Sequence, residues 1–546
     1  MRTVLKISTF LLFLLGISCQ EKADNSPSRD SDKDYKKISW KASVEPIHPG
    51  IPDSIPFWNK FSKRFIYAPA FDFEGVDLAA SYRYELVSLC DSQRWNFESD
   101  HPYDALSPVW EDLPVGSYQL KVSGISDTGK VLKEAGTREF YRAAPFDGIY
   151  HKPVIPYDSS ATLALKKLLD RDFVQYWIEN KQPDPDYGWY RYPSKIYSAL
   201  IIGAVTQARL TNDTPEEEEA TQLAITVADS LIALSFPKGA PLEYFPPTYH
   251  GYPQYFNNQD SHMGYDRSMI IQGADAGHAY LDLYDLTNNT KYLDVAKRIA
   301  DTYLKTQMDN GSWYLYINNK TGKNLDPNVA IPTAMINYFD RLSTDYQVSG
   351  LEEATKKAFQ YIMENPVKTY NWQGQFEDIS ARQEFENQSR EQACDLAIYL
   401  LRNDAENKES LQLAENLIRF AEDQFVIWER PKPITDSEHR PGYYPQNWIT
   451  PSVQEQYAFW RPISRAAGIM IDTYWEAYKV TGKDIYLAKA KSIANTFTVV
   501  QQYHDGNFVT HFTKYKMNFW LNNAVYPAKV LMNFQKNIAT LESSKK

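Results

Sequence analysis

Two different periodicities divide the chain. Between about Ser39 and Ala144, apolar and polar residues alternate in short runs: Arg64 to Phe73, Ser81 to Leu89, Gly116 to Ile125 and Thr137 to Ala143. Turn residues at Leu113-Pro114-Val115-Gly116 and Asp127-Thr128-Gly129 break them. Alternation sends successive side chains to opposite faces, so these runs predict the strands of an antiparallel β-sandwich. From Ser159 onward the apolar positions recur every three to four residues, the period of amphipathic helices, and that pattern holds to the end of the chain.

The helical part repeats itself. LYDLTNNTKYLDVAKRIADTYLKTQMDNGSW (Leu283 to Trp313) matches AYKVTGKDIYLAKAKSIANTFTVVQQYHDGNF (Ala477 to Phe508), pairing Tyr284 with Tyr478, Tyr292 with Tyr486, Ala296 with Ala490 and Gln307 with Gln501. Each unit holds the end of one helix, a polar turn, a second helix and an Asp/Asn-Gly turn. Looser copies span Lys195 to Leu234, Thr333 to Met363 and Arg390 to Phe425. A leading helix, Ala161 to Asn180, and a trailing one, Asn523 to Leu541, form a sixth pair. Six hairpins that each bury a face on the next can close on themselves. The expected fold is therefore mainly α, an (α/α)6 toroid preceded by a small β-sandwich, which resembles a fibronectin-III module. An open helical solenoid is the competing arrangement.

The first residues change the picture of where the protein works. MRTVLKISTFLLFLLGISC has a basic start, a short apolar run and small residues before Cys19. It reads as an export signal too short to span a bilayer. Gly16 to Cys19 resembles a lipoprotein signal-peptidase box, with Cys19 as the lipidated residue. The expected organisation is a signal peptide at 1–19, a disordered tether at 20–38, the β-sandwich at 39–145 and the toroid at 146–546. A lipid anchor would hold the chain, expected to be a monomer, at the outer membrane of a cell envelope, on its periplasmic or outer side. Cys90 and Cys394 fall in different expected domains and support neither a disulfide framework nor a zinc site.

Composition narrows the ligand. The 546 residues carry a net charge of -11 with no basic stripe, which argues against nucleic acid as a partner. Aromatic residues reach 14%, with 39 tyrosines and 13 tryptophans. Such side chains suit flat amphipathic ligands such as sugars, or an aromatic core. The turns within hairpins are short and polar, whereas the connections between hairpins are long and aromatic, which places a ligand cleft on the connection face.

Candidate residues follow from that face. The catalytic candidates are His262, Tyr265, His439, Tyr443 and His511. The substrate-binding candidates are Trp189, Tyr252, Tyr255, His250, Trp448, Trp520 and Asn522, with Arg267, Arg461, Arg465 and Lys514 as cations for an acidic group. Removing the C5 proton of a uronic acid needs a group that neutralises the carboxylate, together with a base and an acid. Tyr, His, Arg and Asn supply those functions. A glycosidase needs two carboxyl groups instead, and Asp260, Asp266, Glu377, Asp378, Glu429 and Asp436 are available in the loops. No metal motif is present, so no cofactor is expected, although a calcium ion held by scattered ligands leaves no sequence signature.

The hairpins, most sharply QGADAGHAYLDLYDLTNNTKYLDVAKRIA (Gln272 to Ala300), resemble those of uronate-processing toroids: glucuronyl C5-epimerases, toroid polysaccharide lyases and unsaturated glucuronyl hydrolases. The arginine-glycine-asparagine-glycine-tryptophan motif of the last group is missing, with WRPISRAAG (Trp460 to Gly468) the nearest piece. Leu521-Asn522-Asn523 approximates the epimerase-like ending Leu-Asn-Gly. With a lipoprotein signal and a sandwich module, the chain looks like the glycan-degradation proteins of marine Bacteroidota, among them the oligosaccharide dehydratases of ulvan breakdown. The resemblance implies elimination at C4 and C5 of a uronate in an acidic oligosaccharide. The alternatives are a glycoside hydrolase and a surface glycan-binding protein without activity.

Overall fold

A computed structural model describes residues 28–29, 34–47, 61–250, 266–377, 384–429, 448–457, 459–516 and 519–544. Among these, twelve helices pair into six antiparallel hairpins: α1 (Tyr157–Leu169), α2 (Pro193–Leu210), α3 (Pro215–Leu234), α4 (Gln272–Thr287), α5 (Thr290–Thr306), α6 (Thr333–Tyr346), α7 (Glu352–Ile362), α8 (Glu391–Asn403), α9 (Lys408–Phe425), α10 (Ser464–Thr481), α11 (Asp484–Gln502) and α12 (Asn522–Ser544). The even-numbered helices form an inner ring in which each packs on the next and α12 returns to α2. The ring is closed, and α12 pairs with α1 as the sixth hairpin. The toroid is therefore the fold, and the open solenoid is not.

Sequence explains the two rings. Inner helix α2 is buried without a break from Ile196 to Ala208, as a helix covered on every side must be. Outer helix α5 buries Tyr292, Val295, Ala296, Ile299, Ala300, Thr302 and Tyr303 on one side and turns charged residues such as Lys291, Asp294 and Asp301 to solvent. The repeated residues do the same work twice. Asn288 and Gly482, both left-handed, end α4 and α10. The Gln307 amide donates to the Gly311 carbonyl at 2.9 Å, and the Gln501 amide to the Gly506 carbonyl at 2.7 Å. Tyr292 donates to Asp229 of α3, the preceding outer helix, and Tyr486 likewise to Glu415 of α9. The inner ring is close-packed enough that a Cβ on Gly277 would meet the Tyr338 ring at 2.4 Å.

The leading helix is not continuous. Arg171 takes an extended backbone between α1 and a separate helix, Asp172–Asn180. A helix also begins at Tyr35, within the expected tether, because Asp34 caps the Lys37 amide and Tyr35 is buried against Phe146.

The N-terminal part holds β1 (Arg64–Phe65), β2 (Ala70–Asp72), β3 (Ser81–Ser88), β4 (Arg94–Ser99), β5 (Tyr103–Ala105), β6 (Gly116–Ile125) and β7 (Val131–Arg142). One sheet runs β1-β7-β6-β3-β4, and β2 pairs with β5 in a second. Strict alternation along β3 buries Tyr82, Tyr84, Leu86 and Ser88. The single run expected from Arg64 to Phe73 is divided between the two sheets. At the crossing, the backbone amides of Ile66 and Tyr67 donate to Asp423 of α9 instead of to a strand. Arg64 reinforces the contact by donating to the Asp423 carbonyl at 3.0 Å and pairing with Glu429 at 3.3 Å. No helix among the described residues is long and apolar enough to cross a membrane.

Candidate active site

All six inner helices begin on the same face, the face of the connections between hairpins, and a cavity opens at their first turns. Lys195 of α2, Gln272 and Asp275 of α4, Thr333 of α6, Glu391, Gln392 and Asp395 of α8, Arg465 of α10, and Asn522 and Tyr526 of α12 line it. Connection residues Gln375, Phe376 and Glu377 complete the wall. Helix N-termini carry partial positive charge, so six of them converging on one space favour negative charge within it.

Four carboxyl groups and two cations share the cavity. Arg465 pairs with Glu391 at 2.7 Å, and Lys195 pairs with Glu377 at 2.5 Å. The Gln272 amide also donates to Glu377, and Tyr249 donates to its carbonyl, so Glu377 is held from three sides. Among the described residues, Asp275 and Asp395 have no such ion pair. Burial pushes the Asp275 carboxyl up to about 6, with the charges of Glu391 and Glu377 adding to the effect against Arg465. Burial, followed by the charge of Glu391, pushes Asp395 up to about 7. Thr333 is within hydrogen-bonding reach of Asp395, at 3.3 Å. Burial alone would raise Glu391 too, but Arg465 and then Arg390 outweigh it and hold Glu391 below its usual range. Two carboxyl groups that hold their protons more tightly than usual, Asp395 more so than Asp275, thus face an ionised carboxylate. Tyr526, whose ring centre lies 4.9 Å from the Arg465 guanidinium, is pushed well up by burial and by Asp275 and stays a phenol.

Beside buried Gln375, whose amide oxygen accepts from the Ile331 backbone N–H, three other side-chain amides in the wall are more than nine-tenths buried: Gln272 at 4%, Gln392 at 5% and Asn522 at 3% exposure. Each keeps a buried amide oxygen with no donor among the described residues. Such an acceptor costs about 1–3 kcal/mol when left unmet. Rotation of these amides toward the lumen would offer acceptors to a ligand rich in hydroxyl groups.

The structure gathers only some of the residues singled out from sequence. Arg465 and Asn522 line the cavity, as does Glu377 among the loop carboxylates. Arg267 lies outside it, paired with Asp326 at 3.3 Å and stacked on Tyr316. Asp266 pairs with Lys320, and Glu429 with Arg64. Lys514 is exposed over the Tyr503 ring, and His250 is exposed beyond the cavity wall. His511 is 2% exposed, with ring centres of Trp448 and Trp520 at 6.3 and 5.8 Å. Burial, then Arg461, pushes this imidazole down to about 4, so it is neutral. Arg461 itself is buried. Trp189 meets Trp520 edge-on at 6.0 Å. His262, Tyr265, His439, Tyr443, Tyr252, Tyr255 and Cys19 lie outside the described residues.

Among the residues missed from sequence are Asp275, Glu391, Asp395 and Tyr526, near the starts of inner helices, together with Lys195, Gln272, Thr333 and Gln392. A signal for two of them was present. Gln272-Gly273-Ala274-Asp275 and Gln392-Ala393-Cys394-Asp395 repeat the spacing Gln-x-x-Asp at the start of α4 and α8, which puts both polar groups on one helix face amid small residues. Among the described residues, no group of three His, Cys, Asp or Glu side chains is arranged to hold a metal ion.

No protein-family model matches the sequence, and no curated protein matches it either. Solved structures with a similar course of the chain include a family 76 glycoside hydrolase from a bovine Bacteroides thetaiotaomicron strain, with a TM-score of 0.47 and 10% identity over 86% of this chain and 94% of that one. Cellobiose 2-epimerase from Spirochaeta thermophila gives 0.47 and 11% identity over 70% and 98%. An unsaturated glucuronyl hydrolase specific for heparin gives 0.43 and 11% identity over 70% and 97%.

Proposed function

We propose that the protein is a carbohydrate-active enzyme that breaks a C–O bond of a uronic-acid-containing oligosaccharide in the inner-helix cavity, by elimination. The observation that carries this reading is the placement of Asp275 and Asp395, both with raised proton affinity, beside the Arg465–Glu391 ion pair where six helix N-termini converge. Arg465 and the protonated form of Asp275 receive the uronate carboxylate, and drawing off its charge makes the C5 proton more acidic. Glu391 takes that proton, and the C5–H electron pair becomes the C4=C5 double bond. The C4–O bond breaks, and Asp395 gives its proton to the departing oxygen. With a hydroxyl leaving, the reaction is a dehydration; with a sugar leaving, it is a lyase reaction. The buried amides of Gln272, Gln392 and Asn522 take ring hydroxyls.

Hydrolysis is a second reading, favoured by one feature. Glu391 and Asp395 stand one turn apart on α8, the first ionised and the second neutral, which is the division of labour a two-carboxyl glycosidase uses. Absorbance of a conjugated uronate double bond separates the two. It rises with turnover under elimination and stays flat while reducing ends accumulate under hydrolysis. Attachment through Cys19 at the cell envelope belongs to the same proposal, and loss of membrane association on Cys19→Ser with retained expression tests it.

A further inference from the structure

Beside the cavity, at the seam between α2 and α12, two indoles meet at a corner. Trp189 sits on the turn Gly188–Arg191 that leads into α2, and Trp520 stands two residues before α12. Their ring centres are 6.0 Å apart with planes at 66°. Both rings are partly exposed. Their backs are fixed: Tyr192 stacks on Trp189 at 6.0 Å, the Arg191 guanidinium lies 5.5 and 5.0 Å from the Trp189 and Tyr192 rings, and buried His511 backs Trp520. The corner is continuous with the cavity wall on both sides. Asn522 follows Trp520 by two residues, while Tyr192 packs on Tyr249, whose hydroxyl donates to the carbonyl of Glu377.

We propose that Trp189 and Trp520 form a second sugar subsite, which stacks the residue next to the one held in the cavity. The ligand is an acidic oligosaccharide of at least two units. This inference rests on the reading of the cavity as a sugar site. A rigid pair of indoles presents a floor and a wall to the apolar face of a pyranose at little cost in side-chain entropy, which is how aromatic pairs bind amphipathic rings. The corner also gives His511 a role: a neutral, buried imidazole that holds one indole in place.

Calorimetric binding to the Asp395→Asn protein tests the subsite without requiring turnover. Free uronic acids and the matching disaccharides of the glucuronan, heparosan, alginate and ulvan series are the probes. Disaccharide should bind roughly fivefold tighter than the single unit in the series the protein accepts, in line with a stacking contribution of about 1 kcal/mol. Adding Trp189→Ala or Trp520→Ala should erase that advantage while leaving the affinity for the single unit within about twofold. Trp189→Phe and Trp520→Phe should keep most of it, which sets loss of stacking apart from loss of fold. Equal affinity for the two lengths, or equal weakening of both by the alanine variants, overturns the subsite. Absence of binding by any probe overturns it as well. A length-dependent affinity without a rise in ultraviolet absorbance on turnover retains the subsite and removes the elimination chemistry.

Discussion

At the scale of single residues, the account turns on a difference between carboxyl groups of the same type. Asp395 keeps its proton to about pH 7 in the folded protein, whereas an exposed aspartate in the unfolded chain loses it near pH 3.9. Between those values only the unfolded chain has released the proton, so this group costs stability progressively as pH rises from about 4 to 7 and no more beyond. Asp395→Asn removes the penalty. Urea titrations should find the variant more stable than the parent at pH 8 and equal to it at pH 3. Its turnover should fall about a hundredfold or more, the usual contribution of a positioned proton donor. A variant that keeps its activity would assign the acid role elsewhere. In the parent protein, turnover should decline as pH rises through about 7, when the Asp395 proton is lost. Glu391 differs because Arg465 stands beside it at 2.7 Å. Arg465→Gln should raise the KM for a uronate and lower kcat together, because the carboxylate loses its partner and Glu391 loses the charge that keeps it ionised.

Among elements, the repeated hairpin sets what was legible in the sequence. The match of Leu283–Trp313 with Ala477–Phe508 was readable because each repeated position makes the same local interaction twice, down to the glutamine that closes the final turn. Gly482 holds a left-handed C-cap at φ 65°, a conformation in which an added Cβ is strained. Gly482→Ala should cost about 1–2 kcal/mol in urea unfolding with activity intact. The same loss at Gly350 would come from the turn before α7, so the two changes should add. The chemistry was less legible, since the long aromatic connections drew attention to His and Tyr in loops. Asp275 and Asp395 lie inside segments whose apolar pattern reads as packing, and only the recurrence of Gln-x-x-Asp marks them. The split of the run Arg64 to Phe73 was hidden for another reason. It is imposed by Asp423, more than 350 residues away along the chain, through the amides of Ile66 and Tyr67.

For the whole molecule, that same aspartate joins the sheet to the toroid. Asp423→Ala would leave two buried amides without an acceptor, at roughly 1–3 kcal/mol each. Calorimetry should then resolve two transitions for the variant and one for the parent, with the sheet melting first; one transition at an unchanged Tm would mean that the contact couples nothing. The toroid explains why the cavity can hold four carboxyl groups at all. A closed inner ring brings six helix N-termini together, and their field with Arg465 and Lys195 offsets the crowding of negative charge. The claim that this cavity eliminates across C4 and C5 of a uronate is open to one direct measurement. Purified protein is mixed with uronate oligosaccharides of the ulvan, glucuronan, heparosan and alginate series, and ultraviolet absorbance and reducing ends are followed together, with Asp395→Asn as the control. The account predicts a time-dependent rise in absorbance with at least one series, abolished in the control. New reducing ends with flat absorbance, lost in the same control, would contradict it and assign the acid pair to hydrolysis.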